Sequence, residues 1–458
     1  MSFQQGLSGL GVSSAALDAI GNNVSNAGTV GFKSSRGEFA DVFAASLTGG
    51  GASNIGIGAA LASVSQQFTQ GNITSTNNAL DVAVNGGGFF RISNNGAISY
   101  SRNGQFQIDK SGFVVNAAGY RLQGYQAIYT NDPSGIIVQS TPTDIFIDPT
   151  DIQPKTTGTV NVGLNLDSRL TDPTVATFDA SNPLSYNSST SVTVYDSLGN
   201  THVMSMYFIY DSTPTTSGAG NNGPLYAAGG AASTWYVRYA LDGDANPTTA
   251  GGHDPSATTY ITAGDNMRLE FDRNGKLVGV NGAAATRTSI GFDLAQVVGA
   301  TNKATTPMTL TAPTSGIDFG SSTQFGSPFG VNNMVQDGFS SGRLAGIAIS
   351  SDGVIQGRYS NGQSKKMGQI VLAKFNNPNG LQSIGGNQWQ ESSASGAPII
   401  GAPGTGANGV IQSAAVEESN VDLTAELVGM ITQQRAYQAN AQTIKTQDAI
   451  LQTLVNLR

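Results

Sequence analysis

The C-terminal end of the chain places an apolar residue at every seventh position: Val416, Leu423, Met430, Tyr437, Ile444 and Leu451. Leu427, Ala441 and Val455 add members four residues further on. Spacings of seven and four lie on one helix face. They predict a helix over 420–457, about 55 Å long at 1.5 Å per residue. Ser419 or Asn420 is placed to cap it, with Asp422 in the first turn. The other end repeats the pattern with Phe3, Leu10, Leu17 and Val24, filled in by Leu7 and Ile20. Asn22, Asn23, Asn26 and Gly28 then supply a helix stop. Gly6, Gly9, Gly11 and Gly21 interrupt this first helix, each at a cost of about 1 kcal/mol relative to Ala. Such a helix is marginal alone, and a seven-residue repeat implies a supercoiled partner. The two ends therefore read as a pair, expected to be largely disordered in the monomer and to order on assembly. Two ordinary amphipathic helices on a globular core are the competing reading.

Between the ends the pattern changes to short alternating runs. Asp81–Asn85, Phe89–Ile92, Thr193–Tyr195 and His202–Tyr210 read as strands. Asn103-Gly104 reads as a type I′ hairpin turn, with similar turns at Ser111-Gly112, Asn274-Gly275, Asp352-Gly353 and Asn361-Gly362. Long loops are expected at Ser217–Gly223 and Asn246–Asp254. The fold class is mainly β with α-helical termini: two nested β domains inserted between helices that pair as a coiled coil. The expected division is 1–30 and 415–458 for the terminal helices, and 31–72 for a connecting segment. An inner β domain takes 73–150 and 316–400, an outer one 151–315, and a linker 401–414.

Composition narrows the function. The 458 residues include 59 glycines and no cysteine, with only 11% charged side chains, against roughly 25% in an average soluble domain. A net charge of −8 disfavours a nucleic-acid surface. Disulfides and thiol catalysis are excluded, and two histidines cannot build a multi-histidine metal site alone. No run is long and apolar enough for a membrane span. The first basic residue is Lys33, so no secretory signal is expected. The chain reads as cytosolic, or as exported by a route without a cleaved signal. Glutamines 433, 434, 438, 442, 447 and 452 give the last helix a neutral polar face.

Three motif matches fail on chemistry. Gly404-Thr-Gly406-Ala-Asn-Gly409 follows Pro403 and not a strand, so it lacks the context of a phosphate cradle. Gly338-Phe-Ser340-Ser-Gly342 has no histidine after it, as an α/β-hydrolase elbow requires. Asp242-Gly-Asp244-Ala-Asn246 has Pro247 and His253 where a calcium loop needs glycine and glutamate. No catalytic, cofactor or metal residue emerges.

A different likeness is specific. Leu7–Leu10, Gly21-Asn22-Asn23-Val-Ser-Asn26 and Gly31-Phe32-Lys33 resemble the N-terminal signature of the bacterial flagellar rod, hook and hook-associated axial proteins. Ser419-Asn420-Val-Asp422, Gln434-Arg435-Ala-Tyr437-Gln-Ala-Asn440 and Thr443–Ile450 resemble that family's shared C-terminal end. Val194–Asn200 with His202, and Gly368–Phe375 with Asn379-Gly-Leu381, are similar to its hook-type members. The resemblance implies a self-assembling subunit of a curved hollow tube, a universal joint passing torque from rod to filament. Its partners would be further copies of itself, the distal rod, hook-cap and hook–filament junction proteins, and the flagellar type III export apparatus. The implied location is the flagellar hook, extracellular after export, with no enzyme activity and no cofactor. A distal rod protein, or a secreted β-rich adhesin, is the alternative. The expected assembly interface is Phe3, Leu7, Leu10, Leu17, Ile20 and Val24 with Leu423, Leu427, Met430, Tyr437, Ile444, Leu451 and Val455.

Overall fold

The computed structural model describes residues 2–42, 56, 58–129, 135–176, 178–212, 233–243, 261–262, 267–280, 287–288, 290–292, 308–310 and 316–456. The expected loops at 217–223 and 246–254 lie outside these residues, as does His253. Two compact units emerge: Met1–Thr150 joined by Leu344–Arg458, and Asp151–Arg343 inserted between them.

In the inserted unit, Ser188–Tyr195, Thr201–Asp211, Ser233–Leu241, Met267–Phe271 and Leu277–Val280 form a five-stranded antiparallel meander. Strict alternation in Thr201–Asp211 sends His202, Met204, Met206 and Phe208 inward. They meet Val160, Leu164 and Phe319 from a second sheet in one core, the arrangement expected when two half-apolar sheets bury their faces. The second sheet corrects the expected boundary at 315. Gly316–Asp318 and Thr323–Phe325 pair in parallel with Thr159–Asp167, and Gly330–Gln336 pairs with it antiparallel. Crossing back therefore waits until Arg343.

The other unit orders Leu344–Ile349, Val354–Tyr359, Ser364–Ile370, Arg121–Ile128, Phe89–Asn94, Ala97–Ser101, Gln388–Gln390 and Gln382–Gly385 as neighbouring strands. Phe89, Tyr100, Phe375 and Trp389 form its aromatic core, with edge-on ring contacts such as Tyr100–Phe375 at 4.8 Å. The expected linker at 401–414 is woven into this unit. Ile399–Gly401 pairs with Leu372–Lys374, and Val410–Ser413 pairs with Val82–Asn85. Ala415–Glu417, expected to open the terminal helix, is a strand against Ile73–Ser75.

Two local expectations change. Asn103-Gly104 is not a hairpin turn, since Ala97–Ser101 and Phe106–Ile108 pair with other strands. Gly104 is there for a close approach: a Cβ would fall 1.6 Å from the Val82 carbonyl oxygen, which its own backbone flanks. The real hairpins at Gly112 and Gly275 share one loop. An aspartate three residues earlier accepts the turn, and the glycine takes positive φ, +87° and +74°. That is a type I turn with a glycine bulge, not type I′.

The terminal helices are α1, Ser2–Ser25, and α2, Leu423–Asn456. No residue from Asn22 to Gly28 takes positive φ; α1 unwinds through three-residue turns, and the first left-handed residue is Gly31, φ +70°. Asp422, not Ser419 or Asn420, caps α2: its Oδ1 accepts from the Thr424 and Ala425 N–H groups at 2.9 and 3.2 Å. No helix among the described residues is long and apolar enough to cross a membrane.

Candidate assembly interface

Antiparallel to each other, α1 and α2 pair with a fixed register. Gly6 lies against Ile444, Gly9 against Asn440, and Gly429 against Ile20, while Asn23 Nδ2 donates to Glu426 Oε1 at 2.8 Å. A Cβ on Gly6 would sit 3.0 Å from Ile444 Cγ1, and one on Gly9 2.6 Å from Asn440 Nδ2. Close approach therefore explains two of the glycines that weaken α1; nothing lies within 4 Å of the same position on Gly11 or Gly21. The seam is completed by buried Ser13, Ala16 and Asn23 on α1. Apart from Ile20 and Ile444 it is small and polar.

The expected pairing of the two helices is present, but the apolar stripes take only a small part in it. Ile20 and Ile444 belong to the seam. Leu10, Leu17, Val24 and Met430 are half-buried at its margins. Phe3, Leu7, Leu423, Leu427, Tyr437 and Leu451 are exposed, Leu7 by 57% and Leu451 by 56%. The side chain of Val455 lies outside the described residues. Such clustering of exposed apolar groups on one helix pair marks a surface made to be covered.

Against α1 lies a hairpin of Ser35–Val42 and Gly58–Gln66. Gln5 Nε2 donates to the Gly56 carbonyl at one end. At the other, Asn23 accepts from Ser35 N–H and donates to Ser35 O, both at 2.8 Å. One amide side chain thus ties α1, the hairpin and α2 together.

Several of the family-motif residues do a different job from the stripes: they anchor the helices to the β unit. Lys33 Nζ is 2.7 Å from Glu417 Oε1, with both side chains fully buried, and donates to Thr69 O. Arg102 meets the other Glu417 oxygen at 3.2 Å, and Gly71 N–H donates to Oε1 at 2.9 Å. Burial pulls the Lys33 ammonium below its ordinary value, and Glu417 opposes the fall. Burial acts on Arg102 in the same sense, again opposed by Glu417. Asn420 accepts from Ser34 N–H at 2.7 Å and donates to Gln67 O at 2.7 Å. Gly31 needs its positive φ, and a Cβ there would strike Asn103 N at 2.6 Å. Phe32 is half-buried beside it. Asn26 closes the end of α1 through the Asn22 carbonyl at 2.9 Å. Gln434 and Arg435 stay exposed on α2, apart from this anchor. Sequence reasoning missed Glu417 and the seam residues Ser13, Ala16 and Gly429. The small residues spaced by seven, such as Gly6 and Ser13 or Gly9 and Ala16, were the available signal for the seam; Glu417 had none.

Of the discarded motifs, Gly404 and Gly406 are turn residues at positive φ, and Phe339 bridges to Lys155. His202 is buried, its Nδ1 2.6 Å from Asp242 Oδ2 and its Nε2 3.4 Å from Asp196 Oδ2. Among the described residues no group of three or more metal-binding side chains is arranged to hold an ion.

Family models match most of the chain in four pieces. They are the flagella basal body rod protein over 3–33 and the flagellar hook protein FlgE/F/G D1 domain over 83–162. The flagellar basal body protein FlaE D2 domain follows over 165–339, and the flagellar basal body rod FlgEFG protein C-terminal model over 412–457. Flagellar hook protein FlgE of Escherichia coli strain K12 is 42% identical across the full length of both chains. The chain belongs to the flagellar hook protein family. Its similarity to the Salmonella typhimurium hook protein is 40%, again over all of both chains. The hook protein of Borreliella burgdorferi is 33% identical, over all of this chain and 99% of that one.

Proposed function

We propose that this chain is the structural subunit of the bacterial flagellar hook, assembling with copies of itself into the curved hollow tube that joins rod to filament. One observation carries the assembly step: the helix pair closes mainly through small and polar residues and leaves Phe3, Leu7, Leu423, Leu427, Tyr437 and Leu451 exposed. Burying one such side chain contributes about 1.5–3 kcal/mol. Neighbouring copies that cover several of them supply what a glycine-interrupted helix lacks. In the free monomer the ends are then largely unstructured, and assembly orders them.

The family membership supports the location in the hook. Export through the flagellar type III apparatus, contacts with rod, cap and junction proteins at the tube ends, and the absence of catalysis follow from the same reading. Electron microscopy of polymer grown from the purified chain tests it, with curved tubes as the expected result. Leu10→Asp or Leu451→Asp should abolish tubes while the β units stay folded by near-ultraviolet circular dichroism. Normal tubes from both variants would overturn the reading.

A further inference from the structure

The exposed apolar residues of α2 are not spread evenly. Leu427, Val428 and Ile431 are exposed near its start, and Ile450 and Leu451 near its end. Between them run mainly polar positions, among them Gln434, Gln438, Gln442 and Lys445. The two groups also face different ways. At 100° per residue the mean directions of the two groups lie about 145° apart around the helix, with Val428 and Ile450 the nearest in direction at about 40°. Roughly 35 Å of helix axis separates Leu427 from Ile450.

Leu451 of the second group continues the cis seam, and Ile450 lies beside it. Glu426, Asn440 and Ile444 on that face meet α1, and Leu451 lies seven residues beyond Ile444. The register puts α1 Ser2 opposite about Gln447, so α2 runs on past it by roughly two turns, about 12 Å. Where α1 covers that face it meets Gly429, Asn440 and Ile444; past α1 the same face presents Leu451 to solvent.

Two apolar patches at opposite ends of one rod, facing nearly opposite ways, suit a contact repeated by translation. Each copy offers the end patch to the start patch of the next, and a head-to-tail contact of this kind does not close on itself. We propose that Ile450 and Leu451 of one copy pack on Leu427, Val428 and Ile431 of another, stacking subunits along the helix direction. This rests on the polymer reading above and specifies which surfaces of the two copies meet.

The absence of cysteine makes the test direct. Leu427→Cys and Leu451→Cys chains are each diluted into an excess of unmodified chain, singly and as a mixture, so that tubes form regardless. Oxidised tubes are then run on a non-reducing gel. A disulfide-linked dimer in the mixture and in neither single variant is the expected result. Tubes whose mixture yields no dimer, or whose single variants dimerise as readily, overturn the stacking while leaving the polymer reading intact. Failure of the unmodified chain to form tubes overturns the polymer reading itself.

Discussion

A Cβ placed on Gly9 would lie 2.6 Å from Nδ2 of Asn440, inside any distance that real Cβ atoms keep. The glycine is therefore part of a helix–helix contact, and the helix propensity it lowers is the cost of bringing α2 close. This separates the glycines of α1 into two kinds with opposite responses to substitution.

Gly11→Ala and Gly21→Ala, where a methyl meets open space, should stabilise α1 by about 1 kcal/mol each. Gly6→Ala and Gly9→Ala should give no such gain, because Ile444 and Asn440 must move aside. Melting of the polymer, in which the two helices are paired, reports the difference. Equal gains at all four positions would contradict the close seam.

Removing Glu417 leaves Lys33 and Arg102 both buried without their shared carboxylate. Glu417→Ala should cost about 3–5 kcal/mol, the range for breaking a buried ion pair. Lys33→Met should cost less, since Arg102 and Gly71 N–H still hold the carboxylate. One tryptophan reports each unit, Trp389 here and Trp235 in the insert. Denaturant titrations should shift the Trp389 transition and leave that of Trp235 in place.

Acid should weaken the inserted unit through its carboxylates. Hydrogen bonds from the Arg169 side chain and backbone hold Asp167 down at about 2. Burial pushes Asp196 upward, but hydrogen bonds from Asn200, His202 and Leu198 outweigh it and leave the carboxyl below its ordinary value. Asp337 is likewise lowered against its burial, by Lys155 and the N–H groups of Thr159 and Gly158. A carboxyl lowered in the folded state contributes stability above its unfolded value that is lost as pH falls through the folded one. The Trp235 melting temperature should hold from neutral pH to about 5 and fall between about 4 and 2. Asp196→Asn should flatten that fall; an unchanged slope would count against these contacts.

On the side of α2 away from α1, Gln434, Gln438 and Gln442 are exposed. If this neutral row lines the export path, Gln438→Lys with Gln442→Lys should leave tubes intact and slow growth of the filament beyond them. Undiminished growth would remove these positions from the path.

Residue patterns alone located both terminal helices and the strands expected at 81–85 and 202–210, because periodicity and turn chemistry are local; the motif residues came from the family resemblance, and their anchoring contacts were not foreseen. They misassigned the seam. Apolar repeats look like the contact within a pair, whereas Gly6, Gly9 and Asn23 make most of it with Ile20 and Ile444, and the leucines lie at its margins or outside. Only the position of Asn440 across from Gly9 distinguishes the two. The boundary at 343 was hidden for a similar reason: Gly330–Gln336 pairs with a strand far back in the chain, and no local signal announces a long-range partner. Glu417 gave no sign of its role because its partners Lys33 and Arg102 are hundreds of residues away.

The central claim is that apolar faces left outside the helix pair become ordered only when other copies cover them. Amide hydrogen exchange on monomer and polymer of the same chain tests it most directly. Residues 3–26 and 425–453 should exchange rapidly in the monomer and slow by orders of magnitude in the polymer, with the β units protected in both. Strong protection of both helices already in the monomer would contradict the account.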